Sequence, residues 1–260
     1  MSDSQRVNVR PGAPDDEDEG DPRRWKILGV CLAISFLTMM TVSIINVALP
    51  SITTSLSAGS LALQAMVSGY TLAFGLALVP TGRVGDAGHR RLIILISLGV
   101  FAAASVVSAL ATSDIVLAVA RLVQGVAAGS MSPQGMGLTQ QVFSWRERGR
   151  AFGFNGAIIG VSTTLGPVIG GGIIAAVGNE YGWRWIFGMT AVFALVVLGF
   201  AWRLVPADKP ATGPVSLDAG GLTLISVMAL ALMMPFILTN GTNDDPQRWW
   251  WLVLAAACLV

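Results

Sequence analysis

Apolar residues in this chain fall in long, nearly unbroken runs, without the alternation of strands or the narrow stripe of soluble helices. Seven complete runs cover roughly residues 26–49, 61–81, 92–112, 115–137, 151–176, 184–204 and 219–240. An eighth opens near Trp249 and is still apolar at Val260. A bilayer core of about 30 Å takes about 20 residues of α-helix, so each run is predicted to span a membrane. The unfinished eighth run makes the chain read as the front of a longer protein. Composition agrees: 53% of residues are hydrophobic and 12% charged, against about 25% charged in soluble domains. The predicted class is an all-α membrane protein.

Residues 1–22 reverse the pattern. Asp15, Asp16, Glu17, Asp18, Glu19 and Asp21 stand among prolines with almost nothing apolar, which predicts a disordered acidic tail. The head lacks the basic n-region and small-residue cleavage site of a secretory signal, so the first span is expected to serve as its own uncleaved targeting signal.

Charge placement orients the spans. Of the sixteen Lys and Arg residues, thirteen fall in the head and in the 2–3, 4–5 and 6–7 loops, only Arg184 and Arg248 fall on the opposite side, and Arg121 lies within span 4. The positive-inside rule then puts the N-terminus in the cytoplasm of a plasma-membrane protein. All eight tryptophans sit near predicted span ends, where interfacial anchors belong. A net charge of +1 gives no basic field and no case for nucleic acid. Cys31 and Cys258 read as small apolar residues, and His89 is the sole histidine, so no metal site is expected. The spans and loops show no paired carboxylates and no nucleophile–base arrangement, which argues against an enzyme.

Glycines crowd the interior runs: Gly125 and Gly129 in span 4, Gly156 and Gly160 in span 5, then GPVIGGG at 166–172. Small residues let helices approach closely within lipid, so spans 4 and 5 are expected to be interior and tightly packed. Pro167 removes a backbone hydrogen bond and predicts a bend or break in span 5.

Arg121 lies seven residues in from Asp114, about 10 Å deep at 1.5 Å per residue. An arginine at mid-membrane costs about 2.5–3.5 kcal/mol on insertion scales. Snorkelling to the surface is one way to tolerate it. Gln124 and Gly125 lie on the same helical face, which favours a protein interior or a water-filled cavity. No Asp or Glu stands inside a complete run. Its partners are then backbone carbonyls, Asn46, Gln124, water, an anionic substrate, or a carboxylate elsewhere. Asn46, Tyr70 and Gln124 are read as cavity-lining side chains.

LAVARLVQGVAAG (117–129) resembles the span-4 motif of the major facilitator superfamily. GRVGDAGHRR (82–91) resembles its 2–3 loop motif, although only Ala87 separates Asp86 from Gly88 where two residues are usual. GPVIGG (166–171) resembles the span-5 antiporter motif. INVALP (45–50), GWRWIF (182–187) and Leu217-Asp218-x-x-Gly221 resemble the fourteen-span drug:proton antiporter branch. The resemblance covers nearly everything after residue 25. It implies a six-helix bundle of two three-helix repeats over 25–204, a cytoplasmic loop at 205–216, and linker spans 7 and an incomplete 8 over 217–260, with a second bundle beyond.

The resemblance further implies a cytoplasmic gate at Gly82, Asp86, Arg90 and Arg91. It implies proton coupling at Arg121 with Gln124 and Asn46, and helix packing or antiporter bending at Gly125, Gly129, Gly166, Pro167, Gly170 and Gly171. The position that carries an acidic residue in many such antiporters is Thr41 here. No bound cofactor is implied, only a proton gradient. The expected partners are a small-molecule substrate and the lipid bilayer. The expected function is export of amphipathic drugs or other small organic compounds by alternating access, in exchange for protons. The alternatives are an uptake transporter of the same fold and a truncated or non-transporting membrane module.

Overall fold

The computed structural model describes residues 23–208 and 249–257, with isolated helical positions at 220, 221, 224, 227, 228 and 231. The acidic head, Lys209 and most of the expected seventh run lie outside the described residues.

Six long helices follow one another. The first, α1, spans Arg24–Leu56 and ends at Ser57, whose φ of 48° turns the chain. Next, α2 joins Ser60–Gln64 to Tyr70–Val84 through a wide π turn at Ala65–Gly69. Another π turn, Gly85–His89, leads into α3, Arg90–Ala109. The remaining long helices are α4 (Asp114–Val142), α5 (Trp145–Val177) and α6 (Gly182–Leu204). A short α7, Trp250–Ala257, begins the eighth run.

Between Ser60 and Ala109 the backbone is almost continuously helical over 50 residues. At 1.5 Å per residue that is about 75 Å, more than twice a bilayer core. The segment divides at Gly88, where φ is 101°. This conformation is open to glycine and strained for any residue with a Cβ, so the shortened Asp86-Ala87-Gly88 spacing serves as the corner between two spans. At the next connection the Ser113 hydroxyl caps α4 by accepting from the Val116 amide at 3.3 Å.

The bundle has an internal repeat. In α1–α3 and in α4–α6 alike, the second helix packs chiefly on the first helix of the other triplet: α2 on α4, and α5 on α1. The third helices, α3 and α6, pack on each other and on α4 and α1 respectively. One core cluster gathers Ile27, Ile34 and Leu37 with Leu98, Phe101, Met131 and Val197. A second gathers Ile44, Ile52 and Met66 with Leu117, Trp183 and Phe187 at the other end of α1.

Glycine sets the approach of α4 to α2. A Cβ at Gly125 would enter the Tyr70 carbonyl, and one at Gly129 the Phe74 carbonyl. The expected interior position of span 4 is therefore observed. Span 5 differs from expectation. Gly166 and Gly170 pack on Ser43 and Ile44 of α1, yet Gly156, Gly160 and Gly172 face open space and Gly171 meets only Val47. The reason is that among the described residues α5 packs chiefly on α1 and α6, with a slight contact to α4, and it is the least buried of the described spans. Of the bend or break expected at Pro167, there is no break: α5 runs through it as one helix, as α1 runs through Pro50. A proline in a long helix forfeits one bond of the ladder, and the bonds on either side hold.

The tryptophans divide as well. Trp145, Trp185 and Trp202 are exposed, as anchors should be, but Trp183 is completely buried. Its Nε1 donates to Ser55 Oγ at 2.7 Å, and Arg184 stacks over its ring while donating to the Ala109 carbonyl at 3.0 Å. Trp183 is thus a core residue joining α1, α3 and α6.

Candidate functional site

Arg121 is 1% exposed, so it does not snorkel. Its Nε donates to the Met66 carbonyl at 3.1 Å and its Nη1 to Gln124 Oε1 at 2.9 Å. The guanidinium lies over the Tyr70 ring, 4.1 Å from the centroid. Gln124 passes the network on: its Nε2 donates to Ser105 Oγ at 2.6 Å, and Ser105 donates to the Phe101 carbonyl at 2.7 Å. Three helices are tied to one charge: α2 through Met66 and Tyr70, α4 through Arg121 and Gln124, and α3 through Ser105.

Local structure makes this possible. Met66 lies in the π turn at Ala65–Gly69, and a π turn shifts carbonyls out of the regular i→i−4 ladder, often where they are needed. Gly125 allows α4 to sit directly on the Tyr70 backbone, which brings the ring under the guanidinium. Among the described residues no carboxylate pairs with Arg121. Its charge is instead spread over a carbonyl, an amide oxygen and an aromatic face.

Several expected positions move. Tyr70 and Gln124 are buried parts of this network, not open lining. Asn46 is exposed on α1 and does not reach Arg121; its amide lies 3.5 Å from the Val42 and Ser43 carbonyls. The side chain of Thr41 is 1% exposed and donates back to the Leu37 carbonyl at 2.7 Å. That hydroxyl serves its own helix, as buried threonines in membrane helices commonly do.

The second constellation lies at the α2–α3 corner. Asp86 Oδ1 accepts from Arg90 Nη2 at 2.6 Å. Arg90 also lies against Gly137 of α4, where a Cβ would meet its guanidinium. Gly82 faces Pro133, and Gly85 leaves room for Gln134, whose Nε2 donates to the Thr81 carbonyl at 2.7 Å. The corner is therefore docked on α4 through glycines on both sides.

Arg91 points elsewhere. Its Nη2 donates to the Trp202 carbonyl at 2.8 Å, and its guanidinium lies over the Trp202 ring, 5.8 Å from the centroid. In return, Asp208 accepts from the backbone amides of Arg91 at 2.7 Å and Leu92 at 3.0 Å. The first turn of α3 thus borrows its cap from the segment after α6, and the end of α6 borrows one from α3. Asp86 pairs with Arg90, and Asp208 caps α3. Nothing local in the sequence marks Ser105, Met66, Gln134, Gly137 or Asp208 as part of either constellation. The one available signal is spacing: Ser105 and Ser108 are polar residues within an apolar run.

At the same end, Arg24 pairs with Glu147 at 3.2 Å, and Arg148 donates to the Phe143 and Gln140 carbonyls at 3.1 and 2.8 Å. These arginines close helix ends. At the other end Ser51 donates to the Asn179 carbonyl, closing α1 on the α5–α6 turn.

Six spans with an internal three-helix repeat, a buried arginine network and a charged corner define a multi-pass α-helical membrane protein of bundle type. The chain belongs to the Major Facilitator Superfamily, which it matches over residues 31–260. It is similar to the "Probable actinorhodin transporter" of Streptomyces coelicolor, 34% identical over 254 residues that make up 96% of this chain and 43% of that protein. It is also similar to the "Puromycin resistance protein pur8" of Streptomyces alboniger, 35% identical over 92% of this chain and 47% of that protein. The chain thus spans less than half the length of these relatives. In fold it resembles an inward-facing bacterial homologue of the human lysosomal transporter Spinster, with a TM-score of 0.64 at 17% identity, over 92% of this chain and 60% of the other. It resembles the proton:xylose symporter XylE with a TM-score of 0.60 at 18% identity, over 90% of this chain and 53% of the other.

Proposed function

We propose that the complete protein is a secondary transporter that exports small organic compounds by alternating access in exchange for protons, and that this chain forms the first of its two bundles. The observation that carries the reading is Arg121. A buried charge that joins three helices without a carboxylate partner among the described residues is an expensive feature, and intramembrane ionisable groups of this kind mark transport pathways by default. Two relatives at 34% and 35% identity bear names of antibiotic transport and resistance, which supports export and amphipathic organic substrates. The family and these relatives favour a transporter over an enzyme.

In this reading Asp86 and Arg90, seated on α4 by Gly82 and Gly137, hold the cytoplasmic side shut, and opening breaks their contacts. Arg91 secures the exit of α6. Gly166 and Gly170 seat α5 on α1, with Pro167 and Gly171 beside them, and the open face of α5 that carries Gly156 and Gly160 is the one against which a second bundle moves. The N-terminus is cytoplasmic, as the thirteen-to-two distribution of basic residues indicates. Impermeant thiol reagents applied to intact cells should label cysteines placed at Gly59 and Asn179 and spare those at Arg90 and Arg148; the reverse pattern would invert the orientation.

The test of function uses the complete protein. Arg121→Lys keeps the charge and loses the planar fork of donors, and Arg121→Ala loses both. Both variants should reach the membrane at normal abundance, with Lys retaining a trace of proton-gradient-driven efflux of a fluorescent amphipathic cation and Ala none. Normal efflux by Arg121→Ala would overturn the reading.

A further inference from the structure

The grooves formed by the described residues include two of similar size. One, of about 450 Å³ between α3 and α4, is apolar throughout, with Val100, Val107, Ile115 and Val119 among its walls. The other, of about 510 Å³ between α1 and α5, is lined by Trp25, Leu28, Gly29, Leu32, Arg150 and Phe154. Only the second contains a charge.

The charge sits at the mouth. The guanidinium of Arg150 lies over the Trp25 ring at 5.2 Å and the Phe154 ring at 5.8 Å. It is exposed, and it has neither an ion pair nor a hydrogen bond among the described residues. Arg146, one turn earlier on the same face of α5, is likewise exposed and unpaired among the described residues. Leu28, Gly29, Leu32 and Phe154 form the apolar floor, and Gly29 leaves open space where a side chain would project. From Trp25 to Leu32 the groove descends seven residues along α1, about 10 Å. A tryptophan at the start of a span marks the headgroup level, so the arginines lie among headgroups and the floor among acyl chains.

The geometry points to a binding site for an anionic phospholipid, its phosphate on Arg150 and one acyl chain in the slot over Gly29. Basic pockets between membrane helices on the cytoplasmic side recognise anionic headgroups in this way. The acidic head of this chain is a rival occupant by charge alone. Residues 11–22 contain no large apolar side chain, so that segment has nothing to place in the slot. A soluble phosphate leaves the slot empty for the same reason. The proposed orientation of the protein matters here only for which leaflet supplies the lipid.

The test is native mass spectrometry of the complete protein released from detergent with added phosphatidylglycerol or phosphatidylcholine. Wild type should retain one phosphatidylglycerol more tightly than phosphatidylcholine. Arg150→Gln should weaken phosphatidylglycerol about five-fold, the equivalent of about 1 kcal/mol for one basic residue at an anionic surface, and leave phosphatidylcholine unchanged. Gly29→Leu, which fills the slot and keeps the charge, should weaken both. Thermal unfolding of each variant in detergent reports that it is folded. Equal retention of the two lipids by wild type, or unchanged phosphatidylglycerol binding in Arg150→Gln, would overturn the assignment. Tight binding that appears only after deletion of residues 2–21 would assign the mouth to the acidic head and overturn it equally. Transport is not read in this assay, so its failure leaves the export reading standing.

Discussion

Gln124→Leu isolates the polar network from the helix packing around it, because the two side chains have similar size and Gln124 is completely buried. Two hydrogen bonds vanish. The bond to Ser105 joins α4 to α3 at 2.6 Å, and interhelical bonds of this kind in membranes contribute about 0.6 kcal/mol on average and about 1.7 at most. The other loss is the acceptor for Arg121 Nη1 at 2.9 Å. A buried donor left without an acceptor costs about 1–3 kcal/mol, more when charged. Arg121 keeps the Met66 carbonyl and the Tyr70 ring, which holds this second loss to the low end. Together the two should cost about 2–3 kcal/mol. Ser105→Ala removes the first bond and the hydroxyl's own donation to the Phe101 carbonyl within α3, leaves the Arg121–Gln124 bond in place, and should cost about 1–2 kcal/mol. The double variant should be less destabilised than the sum of the two by about 0.6–1.7 kcal/mol, because one bond is counted in both single variants. The assay is reversible unfolding of the complete protein in mixed micelles by titration with a denaturing detergent. If Gln124→Leu is within about 0.5 kcal/mol of wild type, the size of an ordinary surface substitution, the network does not hold these helices together. If the double variant equals the sum, the 2.6 Å bond carries no coupling.

Two further outcomes test the packing and the helix ends. Gly129→Ala drives a Cβ into the Phe74 carbonyl, whereas Gly156→Ala meets open space; Gly129→Ala should therefore unfold at a distinctly lower temperature and Gly156→Ala close to wild type, and equal values would refute the glycine contact. Asp208→Ala removes the acceptor of the Arg91 and Leu92 amides and should cost about 1 kcal/mol, as loss of a helix cap does. Hydrogen exchange of those two amides should speed up, while Asp208→Asn, which keeps a side-chain oxygen, should fall between; unchanged exchange in Asp208→Ala would show that the cap is not formed.

Much of this molecule is legible in one dimension. A bilayer core has a fixed thickness and no water to satisfy the backbone, so long apolar runs have to become helices of the matching length. That alone yields the number and order of the first six spans, and the cost of a charge in lipid singles out Arg121 by its residue type and position in a run. Glycine at a close approach can also be read, as Gly125 and Gly129 show. Which helix meets which cannot. The partners of Arg121 come from residues 55 positions away at Met66 and, through Gln124, 19 positions from Ser105, and Asp208 reaches back 117 positions to cap α3. A carbonyl in a π turn carries no mark in its residue type. Span 5 shows the limit in the other direction. Its glycines look interior by composition, but a small residue is compatible equally with a tight contact and with an open face. Only the placement of α5 beside α1 and α6 decides that Gly166 and Gly170 are contacts while Gly156 and Gly160 are not.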